Sequence, residues 1–248
     1  MISIIVPVFN QLAYTVECFN SLFANTAPDK YELIVIDNGS QDPTPEYLET
    51  ISARKTIIRN GRNLGVAPAW NQGIKASQYH YVCIINNDIL FPPRWLVNFE
   101  EAFAKHGETG AWYPRAIRAN RFEWYKTKDA LSRLPLETIR FTIKRPHDQV
   151  VPAEYENEDN RGNLGYFQIY RKGVFDKIGL FDEQFRMFCR EDIDFFMRLE
   201  ESAIVRRQLR NVIIFHYESV TVSTIDRSET DRYIGENFER FKQKWGFL

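Results

Sequence analysis

A few groups of side chains in this 248-residue chain are of the types and spacing that do chemistry. Asp88 closes the run Ile85-Asn86-Asn87-Asp88. A carboxylate ending a buried strand is an oxygen ligand suited to Mg²⁺ or Mn²⁺. Such a cation lets a diphosphate leave with its extra negative charge. By itself Asp88 could equally cap the turn that leads into Pro92-Pro93. His216 ends the apolar run Asn211 to Phe215, where a neutral imidazole is either a metal ligand or a structural residue. Glu191, Asp192 and Asp194 crowd the start of a helix. Crowding raises a carboxyl's pKa and suits it to general base work, yet acidic residues also belong in a first turn, facing the positive end of the dipole. For Asp194 the capping or supporting role is preferred. Asp37 precedes Asn38-Gly39-Ser40. Its carboxylate could accept from the imide of a base or a ribose hydroxyl, or simply close an Asx turn. Gly39, Gly65 and Gly73 suit either close backbone approach to a ligand or plain turns and packing.

The elements that must position these groups alternate. Ile2 to Val8, Tyr31 to Asp37, Thr56 to Arg59 and His80 to Ile85 read as strands. Leu12 to Phe23, Pro43 to Ile51 and Val66 to Ala76 read as helices between them, and a further helix opens at Pro92-Pro93 and runs to about Lys105. This order predicts an α/β fold, a mostly parallel central sheet with helices on both faces. Ligand crevices in such sheets lie outside the carboxyl ends of the strands. The polar clusters Phe9-Asn10, Asp37-Asn38 and Asn87-Asp88 all stand at such ends. From Arg115 to Asn160 the chain turns polar, basic up to Arg145 and acidic from Glu154, and its periodicity fades. That stretch reads as an insertion, either over the site or merely solvated. Beyond it, Tyr166 to Tyr170 and Asn211 to Phe215 read as strands. Ser228 to Trp245 reads as an amphipathic helix packed on the body.

Composition sets outer bounds. The net charge of -1 supplies no overall field for nucleic acid or an acidic surface, so no nucleic-acid partner is expected. Cys18, Cys83 and Cys189 are far apart and suggest neither zinc clip nor disulfide framework. The sequence has no run of about 20 apolar residues and no leader, so the expectation is a cytoplasmic protein with at most peripheral membrane contact, at the inner face. A single domain over 1–248 is expected, in two halves, 1–114 and 115–248, the second including an unassigned insertion at about 119–160.

Four ordered blocks resemble the family 2 glycosyltransferases, which have the GT-A fold. They are Ile4-Ile5-Val6-Pro7-Val8-Phe9-Asn10, then Ile34 to Ser40 with Asp42. Asn63-Leu64-Gly65 with Ala69, Asn71 and Gly73 comes next and leads to Ile85 to Asp88. Gly179-Leu180-Phe181-Asp182-Glu183 follows, with Glu191-Asp192-Ile193-Asp194 and Arg198. The resemblance implies an inverting transfer of a hexosyl or deoxyhexosyl group. The donor would be a nucleoside-diphosphate sugar of UDP, dTDP or GDP type, and the acceptor a hydroxyl on a glycan or lipid-linked saccharide. It implies that Asp37 recognises the base, helped by Pro7 and Phe9, and that Asn38, Asn63, Gly65, Asn71 and Asn87 shape the nucleotide pocket. It implies that Asp88 and His216 hold Mn²⁺ or Mg²⁺, and that Asp192 is the base, positioned by Glu191. Asn86 stands where the family's acidic motif begins with Asp, so one carboxylate remains, a variant most like the rhamnosyltransferase branch.

Three other readings compete. A sugar nucleotidyltransferase would need a Gly-rich basic loop after the first strand, where Val8-Phe9-Asn10 stands instead. A degenerate, non-catalytic nucleotide-sugar-binding module would tolerate the missing acid, and product formation separates it from an enzyme. A structural α/β domain would leave the ordered blocks to coincidence.

Overall fold

The computed structural model describes residues 1–107, 109–118, 155–156, 165–217, 220 and 224–246. The first half follows the predicted alternation: Ile2–Val8 (β1), Leu12–Asn25 (α1), Tyr31–Asp37 (β2), Thr44–Thr50 (α2), Lys55–Arg59 (β3), Val66–Ala76 (α3) and Tyr81–Ile85 (β4). The β-branched runs of β1 and β2 are buried on both faces. Ile2, Ile4, Val6 and Val8 join a layer with Phe19 and Leu22 of α1, whereas Ile5 joins Ala69, Trp70 and Ile74 of α3. Covering both faces is why these strands read as continuous apolar runs. Gly73 leaves room for Ile5 and Ile36 beneath α3, which settles it as a packing glycine.

The second half adds Ile89–Leu90 (β5), Trp95–Lys105 (α4), Ala111–Arg118 (β6), Tyr155–Glu156 (β7), Phe167–Arg171 (β8), Gly173–Ile178 (α5), Glu191–Glu201 (α6), Arg206–His216 (β9) and Arg227–Trp245 (α7). The sheet order is β3-β2-β1-β4-β8-β6-β9-β5, with β7 also on β9. β1 to β4 are parallel, β8 runs against both β4 and β6, and β6 and β9 resume the first direction. The result is the mostly parallel sheet flanked by helices that the sequence implied.

Several local readings need correction. Residues 115–118 belong to β6 and not to an insertion. Pro114 interrupts the strand, the pairing with β9 shifts register between Pro114 and Arg115, and the period of two is lost there. The helix expected at Pro92-Pro93 begins at Trp95, after Arg94 takes a left-handed conformation. The rest of the stretch from Ala119 to Asn160 lies outside the described residues, apart from 155–156. α7 packs on the body through Tyr233 and Phe241, as its periodicity suggested. Among the described residues no helix is long and apolar enough to cross a membrane.

Register lines up the ends that matter. Val8 pairs with Asp37, Asp37 with Arg59, and Ile5 with Ile84. The loops after β1, β2 and β4 therefore leave the sheet along one edge, the carboxyl edge where open α/β sheets bind ligands.

Candidate active site

The turn after β2 is built from Asp37. Ser40 donates its backbone N–H to Asp37 Oδ1 at 2.9 Å, an Asx turn, while Arg59 Nη1 lies 3.4 Å from Oδ2. Asn10, in a left-handed conformation, latches the neighbouring loop: its N–H donates to Ser40 Oγ and its Oδ1 accepts from Gln41 N–H at 2.7 Å. Pro7 pairs with Ile36 one step inside that edge, and Phe9 is half-buried beside it.

Asn38 is buried and its amide is committed to protein. It donates to Asn63 Oδ1 at 2.8 Å and to the Gly65 carbonyl, and accepts from Asn60 and from Leu64 N–H. Asn63 Oδ1 also accepts from Gly65 N–H at 2.9 Å. Asn38 and Asn63 thus organise the 60–65 loop from within. Asn71, buried in α3, donates to the Phe181 carbonyl and to Glu183 Oε1, and accepts from Phe181 N–H at 3.0 Å. It ties the 181–183 turn to the nucleotide-side helix.

After β4 the chain makes a two-residue strand whose register has a purpose. Ile89 pairs with His216 of β9, and Tyr217 N–H donates to the Asp88 carbonyl at 3.1 Å. Asp88 and His216 meet as a result, with Nε2 3.1 Å from Oδ1. Both side chains are buried, and neither atom has a hydrogen bond of acceptable geometry. Asp88 therefore does not cap α4. Two buried polar atoms that face each other with no hydrogen bond fit a divalent cation, since an unsatisfied buried polar group is otherwise costly. Among the described residues no third His, Cys, Asp or Glu joins them. That matches the way Mg²⁺-type ions are held, by one or two protein ligands plus substrate phosphates and water. Asn87 anchors the same turn by donating to Thr15 Oγ1 at 2.9 Å.

At the start of α6, Glu191 and Asp192 are 5% and 6% exposed. Burial pushes the Glu191 carboxyl well above its ordinary range, and the Asp192 charge adds to this. Burial raises Asp192 too, opposed by backbone N–H groups of Ile193, Asp192 itself and Gly165 and by the Arg190 charge. Asp192 has three such backbone N–H groups and Glu191 only its own, while Glu191 Oε2 has no partner. The balance of these contacts favours the negative charge at Asp192 and the proton at Glu191. Asp194 faces inward and binds Arg198 Nε at 3.1 Å, Trp245 Nε1 at 3.0 Å and Lys244. It is a supporting residue, as its position suggested.

Two neighbours that the sequence did not single out join these groups. A Cβ on Gly165 would sit 2.8 Å from Asp192 Oδ2, and the Tyr166 ring packs on His216 with centroids 4.6 Å apart. Consecutive residues thus touch the Asp192 carboxyl and the His216 ring. Across the site, Gly65 (φ 92°) lies against the Met187 backbone, and Val66 N–H donates to the Met187 carbonyl at 2.8 Å.

The chain is similar to several known proteins over most of its length. The Escherichia coli chondroitin synthase is 25% identical over 95% of this chain, which spans 37% of that protein. A PGL/p-HBAD biosynthesis glycosyltransferase of Mycobacterium bovis is 24% identical over 88% of this chain and 77% of its own. Among solved structures, Staphylococcus aureus TarS 1-349 superposes with a TM-score of 0.67 at 17% identity, covering 98% of this chain and 72% of that one. A Pyrobaculum calidifontis mannosyltransferase in complex with GDP-Man and Mn²⁺ gives 0.62 at 18% identity, covering 87% and 56%. These likenesses are to the GT-A fold. Residues 3–179, from β1 through α5 and including the Asp37 turn and Asp88, match the family described as Glycosyl transferase family 2, and the chain belongs to that family.

Proposed function

We propose that this chain is an inverting glycosyltransferase that moves a sugar from a nucleoside diphosphate to a hydroxyl of a glycan or lipid-linked saccharide. The observation that carries the reading is the Gly165-Tyr166 step, which sets a buried carboxylate base beside a buried Asp–His pair. In the reaction, Asp192 takes the proton from the acceptor hydroxyl. The acceptor oxygen then forms its bond to the anomeric carbon on the face opposite the diphosphate. The bond to the diphosphate breaks and its electron pair leaves with the phosphate oxygen, so configuration inverts and no covalent enzyme intermediate forms. Glu191, protonated, keeps a second negative charge away from the base. Asp88 and His216 would hold Mn²⁺ or Mg²⁺, which when bound supplies positive charge for the departing diphosphate. The Asp37 turn, with Pro7 and Phe9 beside it, receives the base and ribose, and the network of Asn38, Asn63 and Gly65 shapes the wall.

Similar structures support a UDP or GDP donor: TarS is solved with UDP-GlcNAc, and the mannosyltransferase with GDP-Man and Mn²⁺. A dTDP donor belongs to the same class. Three free cysteines suit the reducing cytoplasm, where we place the reaction. We take 1–248 as one catalytic domain, its donor side before and its acceptor side after β6.

The test is a thermal-shift panel of UDP, dTDP, GDP and CMP with and without Mn²⁺, followed by donor turnover in wild type and Asp192→Asn. A ligand at 100 times its Kd stabilises by about 2.7 kcal/mol. One nucleoside diphosphate should give a Mn²⁺-dependent shift, and Asp192→Asn should keep that shift while losing at least ~100-fold in turnover. Turnover near the wild-type rate in Asp192→Asn would remove the base. A shift without turnover in the wild type would favour a degenerate module instead, and a panel with no shift at all would remove the nucleotide site.

A further inference from the structure

We infer that Asn237 of α7 is the positioning residue for the Glu191-Asp192 carboxyls, an inference that rests on reading Asp192 as the base. The loop that delivers those carboxyls is strained. Met187, Cys189 and Arg190, none of them glycine, have φ of 60°, 81° and 75°. Side-chain-bearing residues persist there only when their surroundings over-determine them. Arg190 is the residue immediately before α6, and its side chain supplies no cap.

Asn237 provides the constraint. It is 1% exposed, in the middle of α7. Its Oδ1 accepts the Arg186 N–H at 2.9 Å, and its Nδ2 donates to the carbonyls of Arg186 at 2.8 Å, Phe188 at 2.7 Å and Cys189 at 3.1 Å. A single amide thus meets both polar groups of Arg186 as a neighbouring strand would, and gathers the next carbonyls around it. Leucine keeps the branched outline of asparagine in a larger volume but has neither function, and aspartate cannot donate. On the opposite side, the loop rests on Gly65 and Val66. It is gripped between the nucleotide-side loop and α7. Arg190 reinforces this grip with its guanidinium 3.9 Å from the Phe238 ring centroid.

Position also argues for a role. Tyr233, Asn237 and Phe241 are spaced by four and form the buried stripe of α7. An amide in that stripe is costly unless its hydrogen bonds are all met, and here they are met by the loop that precedes the base.

The test uses the full chain with Asn237→Leu, Asn237→Asp and the exposed-site control Glu239→Ala. Three quantities are read where all variants are folded by circular dichroism. They are iodoacetamide labelling of Cys189 mapped by mass spectrometry, the Kd of the nucleoside diphosphate chosen by the panel, and its release rate from UDP-GlcNAc or GDP-Man with Mn²⁺. Both Asn237 variants should label Cys189 at least tenfold faster while buried Cys18 and Cys83 stay slow. Release should fall at least tenfold with Kd changed less than twofold, and Glu239→Ala should match wild type. Unchanged Cys189 labelling would overturn the inference. So would equal acceleration at all three cysteines, or a Kd that weakens as much as release falls, since these mark general loosening. If the wild type releases no nucleotide but the Asn237 variants still free Cys189 alone, the anchor stands and the base assignment falls.

Discussion

Glu17 shows how one buried group sets a pH dependence. It lies on α1, and the Tyr217 hydroxyl donates to its Oε2 at 2.7 Å. Burial lifts its carboxyl from 4.5 to about 7, against the lowering effect of that hydrogen bond. Between these values the folded protein holds a proton that the unfolded chain has released. This group's contribution to stability therefore falls as pH rises from about 4.5 to about 7, then levels. Glu17→Gln should remove that fall and raise stability at pH 8 by ~1–2 kcal/mol, with little change at pH 4.5. Urea melts of both proteins at the two pH values check it; equal offsets at both would show that the carboxyl is not the cause. Residues like this are hard to read in sequence, because a Glu on an amphipathic helix is ordinarily a solvated one. Asp37, Asp88 and His216 were legible because each interrupts an apolar strand at its end. Asn237 was not, although an amide between Tyr233 and Phe241 at helical spacing is a visible signal. Asn38 stood out in sequence as a candidate, but its commitment to the 60–65 loop is a matter of three dimensions.

At the scale of elements, the Gly65 junction joins the start of α3 to the loop before α6. Gly65→Ala faces two penalties, a left-handed φ and a Cβ 2.8 Å from Met187 Cα. It should lower stability by ~1–3 kcal/mol and weaken nucleotide binding, whereas Gly61→Ala, whose Cβ meets nothing within 4 Å, should stay within about 0.5 kcal/mol. Denaturant midpoints and nucleotide Kd for the pair decide this, and equal midpoints would remove the junction from the account. The elements that sequence revealed are those with an apolar run or a sustained period: β1 to β4, β8, the end of β9, and α1 to α4 and α7. β5 has two residues and α5 six, too few to show a period. β6 was lost for a different reason, since Pro114 breaks its alternation and basic residues follow.

For the molecule as a whole, the sheet order decides how independent the two halves can be. β8, from the acceptor side, hydrogen-bonds to β4 of the donor side and to β6. Neither half closes its sheet without the other. Heating should give one transition in which far-ultraviolet circular dichroism and tryptophan fluorescence coincide, with no earlier loss of either signal. Two separated transitions would divide the chain into independent units. The alternation of strands and helices made the donor half readable, but nothing in sequence announced that β8 would reverse and lodge against β4.

The Gly165-Tyr166 step that begins β8 touches Asp192 on one side and His216 on the other. Its consequence belongs to heredity as much as to chemistry. A dipeptide in contact with both the Asp192 carboxyl and the His216 imidazole cannot drift at one without disturbing the other. Substitutions there will be epistatic with changes at either partner, their effects combining non-additively. Attempts to breed a new donor or acceptor preference into this scaffold therefore inherit a coupling at 165–166, and the two traits must be selected together.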